Sequence, residues 1–132
     1  MWSIETTDEF DEWFSSLGDD EKAEIIAKRN LLATFGPMLS RPHADTLDGS
    51  KYANMKELRG KTKGAEPRIA FAFDPLKTAI LLCGDNKRGV SQKKFYKKLI
   101  TKADGLYEQH LKVVEKRKAE MERQRDKGDK HG

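Results

Sequence analysis

Four cations stand at the ends of three short β-type segments. Arg59 follows Lys56-Glu57-Leu58, Arg68 precedes Ile69-Ala70-Phe71, and Lys87 and Arg88 follow Gly84-Asp85-Asn86. Groups of this kind bind phosphate, arginine bidentately and lysine as a point charge. Alternation along Arg68–Phe73 puts Ile69, Phe71 and Phe73 on one face and Arg68, Ala70 and Ala72 on the other. If the three segments neighbour one another, the large apolar side chains turn to covering helices. The four cations then gather on an open face, as a groove for a phosphate chain. The same residues also fit ordinary solubilising charge, or Arg59–Glu57 and Arg68–Glu66 ion pairs.

Other reactive side chains carry less. Cys83 lies in the apolar run Ala79-Ile80-Leu81-Leu82-Cys83, where a buried, inert thiol is expected. His43, His110 and His131 are far apart in sequence and show no metal-ligand spacing, so surface or partly buried structural roles are expected for them. No Walker motif is present. Gly84-Asp85-Asn86-Lys87-Arg88-Gly89 reads equally as a phosphate-cradling loop or a plain turn. No metal and no cofactor is called for.

The elements that must position these groups fit one domain. The chain has 132 residues, 36% hydrophobic and 36% charged, which indicates a folded body plus a solvated charged segment. One cysteine excludes an intramolecular disulfide. No apolar run approaches the roughly 20 residues of a membrane span. The acidic start, Met1 to Asp11, lacks the basic and apolar regions of a secretory signal, so a cytoplasmic location is expected. Charge is segregated: residues 1–36 hold three basic and nine acidic side chains, net −6, residues 37–85 are net +2 and residues 86–132 net +8. A basic half fits a polyanion partner or a solvated helix with mixed charge.

Trp2 to Glu5 is a short extended candidate. Thr7 starts a helix with acids in its first turn and Phe10, Phe14 and Leu17 on one face; Gly18 ends it. A second helix runs from Asp19 or Asp20 to Gly36-Pro37, with Ala23, Ile26, Ala27 and Leu31 as its apolar stripe. Residues 37–50 read as irregular. Met55–Arg59, Arg68–Phe73 and Thr78–Cys83 form an antiparallel meander. Phe95, Leu99, Ala103, Tyr107, Leu111 and Val114 then restore helical spacing. Thr101 with Asp104 has capping-box spacing, which predicts a break near Thr101. Residues 115–132 read as a charged helical tail, disordered from about Lys127, and residues 1–114 as the domain.

Met55-Lys56-Glu57-Leu58-Arg59, Pro67-Arg68-Ile69-Ala70-Phe71-Ala72-Phe73-Asp74-Pro75, Ala79-Ile80-Leu81-Leu82-Cys83-Gly84-Asp85-Asn86-Lys87, Phe95-Tyr96 and Ala103-Asp104-Gly105-Leu106-Tyr107-Glu108-Gln109-His110-Leu111 occur in that order. This set resembles the HigB-like, phage-associated branch of the RelE/ParE toxin superfamily. The resemblance implies a compact RelE-like α+β fold and the toxin of a type II toxin–antitoxin pair. It implies a ribosome-dependent mRNA endoribonuclease or, in the ParE manner, a non-catalytic DNA gyrase inhibitor. Carried over by residue, Arg59, Arg68, Lys87 and Tyr96 are the catalytic candidates. Lys56, Lys61, Lys63, Arg88, Lys93 and Lys94 are expected to bind RNA. Thr101 stands where many relatives have proline.

On this reading Arg59 and Arg68 hold the scissile phosphate, and Lys87 is a base only if neighbouring cations lower its pKa. Tyr96 stacks on a base or donates a proton. Arg68→Ala and Lys87→Ala are expected to lose toxicity yet stay folded. The implied partners are the ribosome, mRNA and a cognate antitoxin with a helix-turn-helix domain. Two surfaces could receive that antitoxin: the cationic groove, where an acidic or extended segment would mask Arg59, Arg68 and Lys87, and the acidic helices of residues 1–36. The helices are favoured, and no membrane partner is expected. The charged tail is expected to strengthen RNA association.

Overall fold

A computed structural model describes residues 1–129. In chain order it contains β1 (Ile4–Thr6), α1 (Asp8–Ser15), α2 (Asp19–Phe35), a 3-10 turn (Gly36–Met38), β2 (Ala44–Thr46), β3 (Lys56–Arg59), β4 (Pro67–Phe73), β5 (Ala79–Asn86) and α3 (Gln92–Asp129). The fold is α+β, as expected. The five strands form one mixed sheet in the order β1-β5-β4-β3-β2, with β1 parallel to β5 and the other pairs antiparallel.

Helix α1 starts where Thr7 caps it, the hydroxyl accepting from the Phe10 amide at 3.0 Å and donating to the Leu82 carbonyl at 2.6 Å. One side chain thus satisfies an orphan helix donor and ties α1 to β5. Acids fill the first turns of α1 and α2, at the positive ends of both helices. Helix α2 stops at Gly36, whose φ of 56° and packing against the Trp2 indole exclude a side chain; a Cβ there would lie 2.3 Å from the ring.

The alternation in β4 holds. Ile69 and Phe71 pack with Phe10, Ile25, Leu32 and Leu58 beneath α1 and α2. The opposite face is not open. Ala70 and Ala72 of β4, with Ile80, Leu82 and Cys83 of β5, pack against Phe95, Leu99, Ala103 and Tyr107 of α3. A register shift at Ala70/Phe71 lets the consecutive Leu82 and Cys83 both meet α3. The small Ala70 and Ala72 let the helix lie close, so the expectation of a sheet bare on its cationic face fails. Each large core side chain buried this way contributes about 1.5–3 kcal/mol.

Three further expectations are corrected. Helix α3 is continuous from Gln92 to Asp129: the Thr101 hydroxyl bonds back to the Lys97 carbonyl at 2.8 Å instead of capping a new helix. Asp104 instead accepts from the Ser50 hydroxyl at 2.5 Å and the Lys51 amide at 3.0 Å, fastening the loop between β2 and β3. The buried stripe of α2 is Ile25, Leu32 and Ala33, with the expected Leu31 partly buried beside it, while Ala23, Ile26 and Ala27 are exposed. Polar residues share its inner side: Glu24 accepts the Lys61 amide at 2.7 Å, and Lys28 donates to His43 Nδ1 at 2.7 Å. The irregular stretch contains β2, a strand of three residues.

Cys83 is buried as expected, and desolvation pushes its thiol up to about 12. His110 is buried and structural. Its Nε2 lies 2.8 Å from Asp74 Oδ2, while Asp74 Oδ1 accepts the Leu76 and Thr78 amides. This pins α3 to the β4–β5 turn. Beyond Val114 no residue through Gly128 is buried, and the helix continues to Asp129. His131 and the rest of 130–132 lie outside the described residues.

Candidate active site

The site forms where the first turns of α3 cross β3 and β4. Register pairs Asp45 with Glu57, Glu57 with Ala70, and Arg59 with Arg68. Glu57, Arg59 and Arg68 therefore share the α3 side of the sheet with Ala70. Tyr96, next to the core residue Phe95, reaches down from α3 and its hydroxyl donates to Glu57 Oε1 at 2.7 Å. Arg68 lies beneath. Its Nη1 donates to the carbonyls of Gly60 and Pro67 at 3.0 and 3.1 Å, and its Nε sits 3.4 Å from Glu57 Oε1. That last contact is an ion pair without hydrogen-bond alignment, and the buried Nε–H has no hydrogen-bond partner. The side chains of Arg68 and Glu57 are each only 7% exposed.

Burial pushes the Glu57 carboxyl above its usual range; the Tyr96 hydrogen bond and the charges of Arg59 and Arg68 oppose that shift, and Asp45 adds to it. Tyr96 is also raised, first by burial and then by its bond to Glu57. A carboxylate with a raised pKa is a stronger base than a solvated one, which is the property general-base chemistry requires.

A groove of about 660 Å³ opens over this pair. Arg59, Lys87, Lys93 and Lys97 line it together with Arg41, Asp45 and Asp48. Asn86 places Lys87: its Oδ1 accepts the Glu66 amide at 2.9 Å and the Arg88 amide at 3.1 Å, holding the chain after β5 against the start of β4. The Lys87 ammonium stands 5.9 Å from the centre of the Tyr96 ring. Leu47 and Asp48, on the loop that Asp104 fastens, make another wall.

Of the sequence candidates, Arg59, Lys87, Tyr96 and Lys93 line this groove, and Arg68 lies below its floor. Lys56 lines a different cavity, with Pro37 and Leu39, and Lys94 lies with Lys98 and Thr101 outside the groove. Lys61, Lys63 and Arg88 do not line it either; the Arg88 guanidinium instead donates to the Lys63 carbonyl. Sequence reasoning missed Glu57, Arg41 and Lys97. Glu57 was visible as an acid two residues before Arg59, on the same strand face. Its burial depends on α3, which the strand pattern does not report. Among the described residues, no three or more His, Cys, Asp and Glu side chains converge to hold a metal ion.

Residues 12–108 match the family described as Phage derived protein Gp49-like (DUF891). The chain belongs to that Gp49-like family. Two proteins of Mycobacterium tuberculosis, with the provisional names toxin HigB2 and toxin HigB3, are similar to this Gp49-like chain. The first is 38% identical over 117 residues, 88% of this chain and 57% of the relative. The second is 44% identical over 92 residues, 70% of this chain and 78% of the relative. The chain thus spans little more than half the length of the first of these relatives. The HigB-like resemblance is borne out. The match takes in the whole groove, from Arg41 to Ile100. No helix among the described residues is long and apolar enough to cross a membrane.

Proposed function

We propose that this Gp49-like chain is the toxin of a toxin–antitoxin pair and acts as a ribosome-dependent endoribonuclease on mRNA. The observation that carries the reading is the Tyr96–Glu57 hydrogen bond at the floor of a groove rimmed by Arg59, Lys87, Lys93 and Lys97. RNA cleavage needs a base for the 2′-hydroxyl proton, cations for the charge on the phosphorane, and an acid for the leaving 5′-oxygen.

Glu57 takes the 2′-hydroxyl proton. The 2′-oxygen attacks phosphorus, the bond to the 5′-oxygen breaks, and a cyclic phosphate forms. Arg59 binds the non-bridging oxygens, and the Lys87 ammonium gives the leaving oxygen its proton. Tyr96 holds the carboxylate in place, and its ring offers a face for a base to stack on. Arg68 is a positioning residue, its charge opposing the rise that burial imposes on Glu57. The relatives named as toxins support the role, and the ribosome would supply the substrate orientation that this shallow site does not.

The test is to map RNA 5′ ends after brief induction of the chain and to follow protein and DNA synthesis by pulse labelling. New 5′ ends within reading frames, with protein synthesis falling first, are the expected result. DNA synthesis falling first, with gyrase-linked DNA breaks, would replace this reading by gyrase inhibition.

A further inference from the structure

Four of the eight exposed large apolar side chains among the described residues gather around Gly36: Met1, Trp2, Phe35 and Met38. Met38 is 83% exposed and Phe35 51%. The Trp2 amide is held by the Ala33 carbonyl at 2.8 Å and its ring packs edge-on against Phe73 at 5.5 Å, so the cluster sits on a fixed base. Contiguous exposed apolar surface of this kind marks an interaction site.

The cluster does not stop there. A cavity of about 350 Å³ begins beside Met38 at Pro37 and Leu39 and reaches Arg41, Asp45 and Thr46. Those last three residues also line the groove. The surface at Pro37 and Leu39, which flank Met38 in the chain, is therefore continuous past Arg41 with Arg59, Lys93 and Lys97. Its far end carries the charge an acidic partner would meet. Strand β2 lies along this path at the edge of the sheet, and its two outward amides are already taken. The Ala44 amide donates to the Ser40 carbonyl at 3.1 Å and the Thr46 amide to Asp45 Oδ1 at 2.9 Å.

We propose that this surface receives the cognate antitoxin through a segment with an apolar anchor followed by carboxylates. The anchor seats on Phe35 and Met38. The carboxylates continue over Arg41 into the groove, where they mask Arg59, Lys93 and Lys97. The segment is held by side chains, not paired as an extra strand. The inference rests on the reading of the chain as a toxin. It moves the docking site from the acidic first turns of α1 and α2, which the sequence favoured, to the opposite end of α2.

The experiment is a calorimetric titration of the full chain with the antitoxin encoded by the adjacent reading frame. Phe35→Ser/Met38→Ser and Lys93→Glu/Lys97→Glu are each expected to raise Kd by about tenfold or more. Phe35→Ser/Met38→Ser should still arrest growth when expressed alone. A Kd for that variant within about twofold of the parent overturns the docking site. An unchanged Kd for Lys93→Glu/Lys97→Glu overturns the acidic continuation. Dimerisation of the chain alone that Phe35→Ser/Met38→Ser abolishes would assign the surface to a second copy instead. Weakened antitoxin binding with no new RNA 5′ ends on induction leaves the docking site standing and removes the ribonuclease reading.

Discussion

The Tyr96 hydroxyl meets Glu57 Oε1 at 2.7 Å across the seam between α3 and β3. Helix and strand thus join through a polar contact above the buried Arg68. Tyr96→Phe removes that donor and leaves the buried carboxylate with one partner fewer. A loss of about 1–3 kcal/mol in unfolding free energy is expected. The hydrogen bond also holds the Glu57 pKa down, so the rising limb of the pH–rate profile for RNA cleavage should move to higher pH. Denaturant titration of the purified protein and a pH series of mRNA cleavage on programmed ribosomes would measure the two effects separately. A wild-type pH profile in Tyr96→Phe would remove the link between the two residues.

Arg68→Ala differs from what the strand pattern promised. Its guanidinium is buried, bonded to two carbonyls and paired with Glu57. Deletion leaves a buried carboxylate facing a void, a change that costs about 3–5 kcal/mol when one member of such a pair is lost. Thermal unfolding should show a large fall in Tm, and loss of toxicity in this variant would be a folding effect first. Lys87→Ala removes a cation from the groove rim and should keep its Tm. The cost there is in catalysis, about 10²–10³ in rate if the ammonium acts on the leaving oxygen.

A titration test follows from Glu57. Its folded pKa lies above the ordinary value of 4.5, so the folded state binds the proton more tightly than the unfolded state. For an acid shifted this way, folding carries no penalty below the ordinary value. The penalty grows as pH rises through the raised pKa, where the folded chain must give up the proton. Glu57→Gln does not titrate. The stability of the parent relative to Glu57→Gln should therefore fall as pH rises from about 4.5 upward and then level off. Parallel denaturant curves from pH 4 to pH 8 would show it. A difference that is flat with pH would mean that Glu57 is not raised.

Much of this arrangement was readable from residues. Strands β3, β4 and β5 announce themselves because Ile69, Phe71 and Phe73 alternate with smaller residues and because β5 is a β-rich apolar run. Strand β2 does not, since three residues between Pro42-His43 and Asp48-Gly49 carry no period. The inner side of α2 was hidden by Glu24 and Lys28, which bond to Lys61 and His43 of other segments. Arg68 is the instructive case. Alternation placed it correctly on the face opposite Ile69 but could not say that α3 covers that face. The groove was half visible for the same reason: its cations could be named from strand ends, while Glu57 gains its character from burial.

The tail offers the last test. Helix α3 is about 57 Å long at 1.5 Å per residue, and nothing from Glu115 to Gly128 is buried. Among the described residues after Val114, the side-chain tie to the body is the Arg117–Glu5 ion pair at 2.9 Å, both side chains about two-fifths exposed, a contact of the kind that contributes at most about 1 kcal/mol. A chain ending at Val114 should therefore fold with nearly the parent Tm. The removed segment carries Lys116, Lys118, Arg125 and Lys127 without a carboxylate partner among the described residues, while Arg123 is spent on Glu120. If those four amines and guanidinia meet phosphates, single-stranded RNA binding should lose up to about three units of salt slope, at roughly 0.7 per phosphate contact. Filter binding of a uridine-rich RNA across a salt series gives that slope. Equal slopes for the two chains would confine RNA contact to the groove and leave the tail for another role.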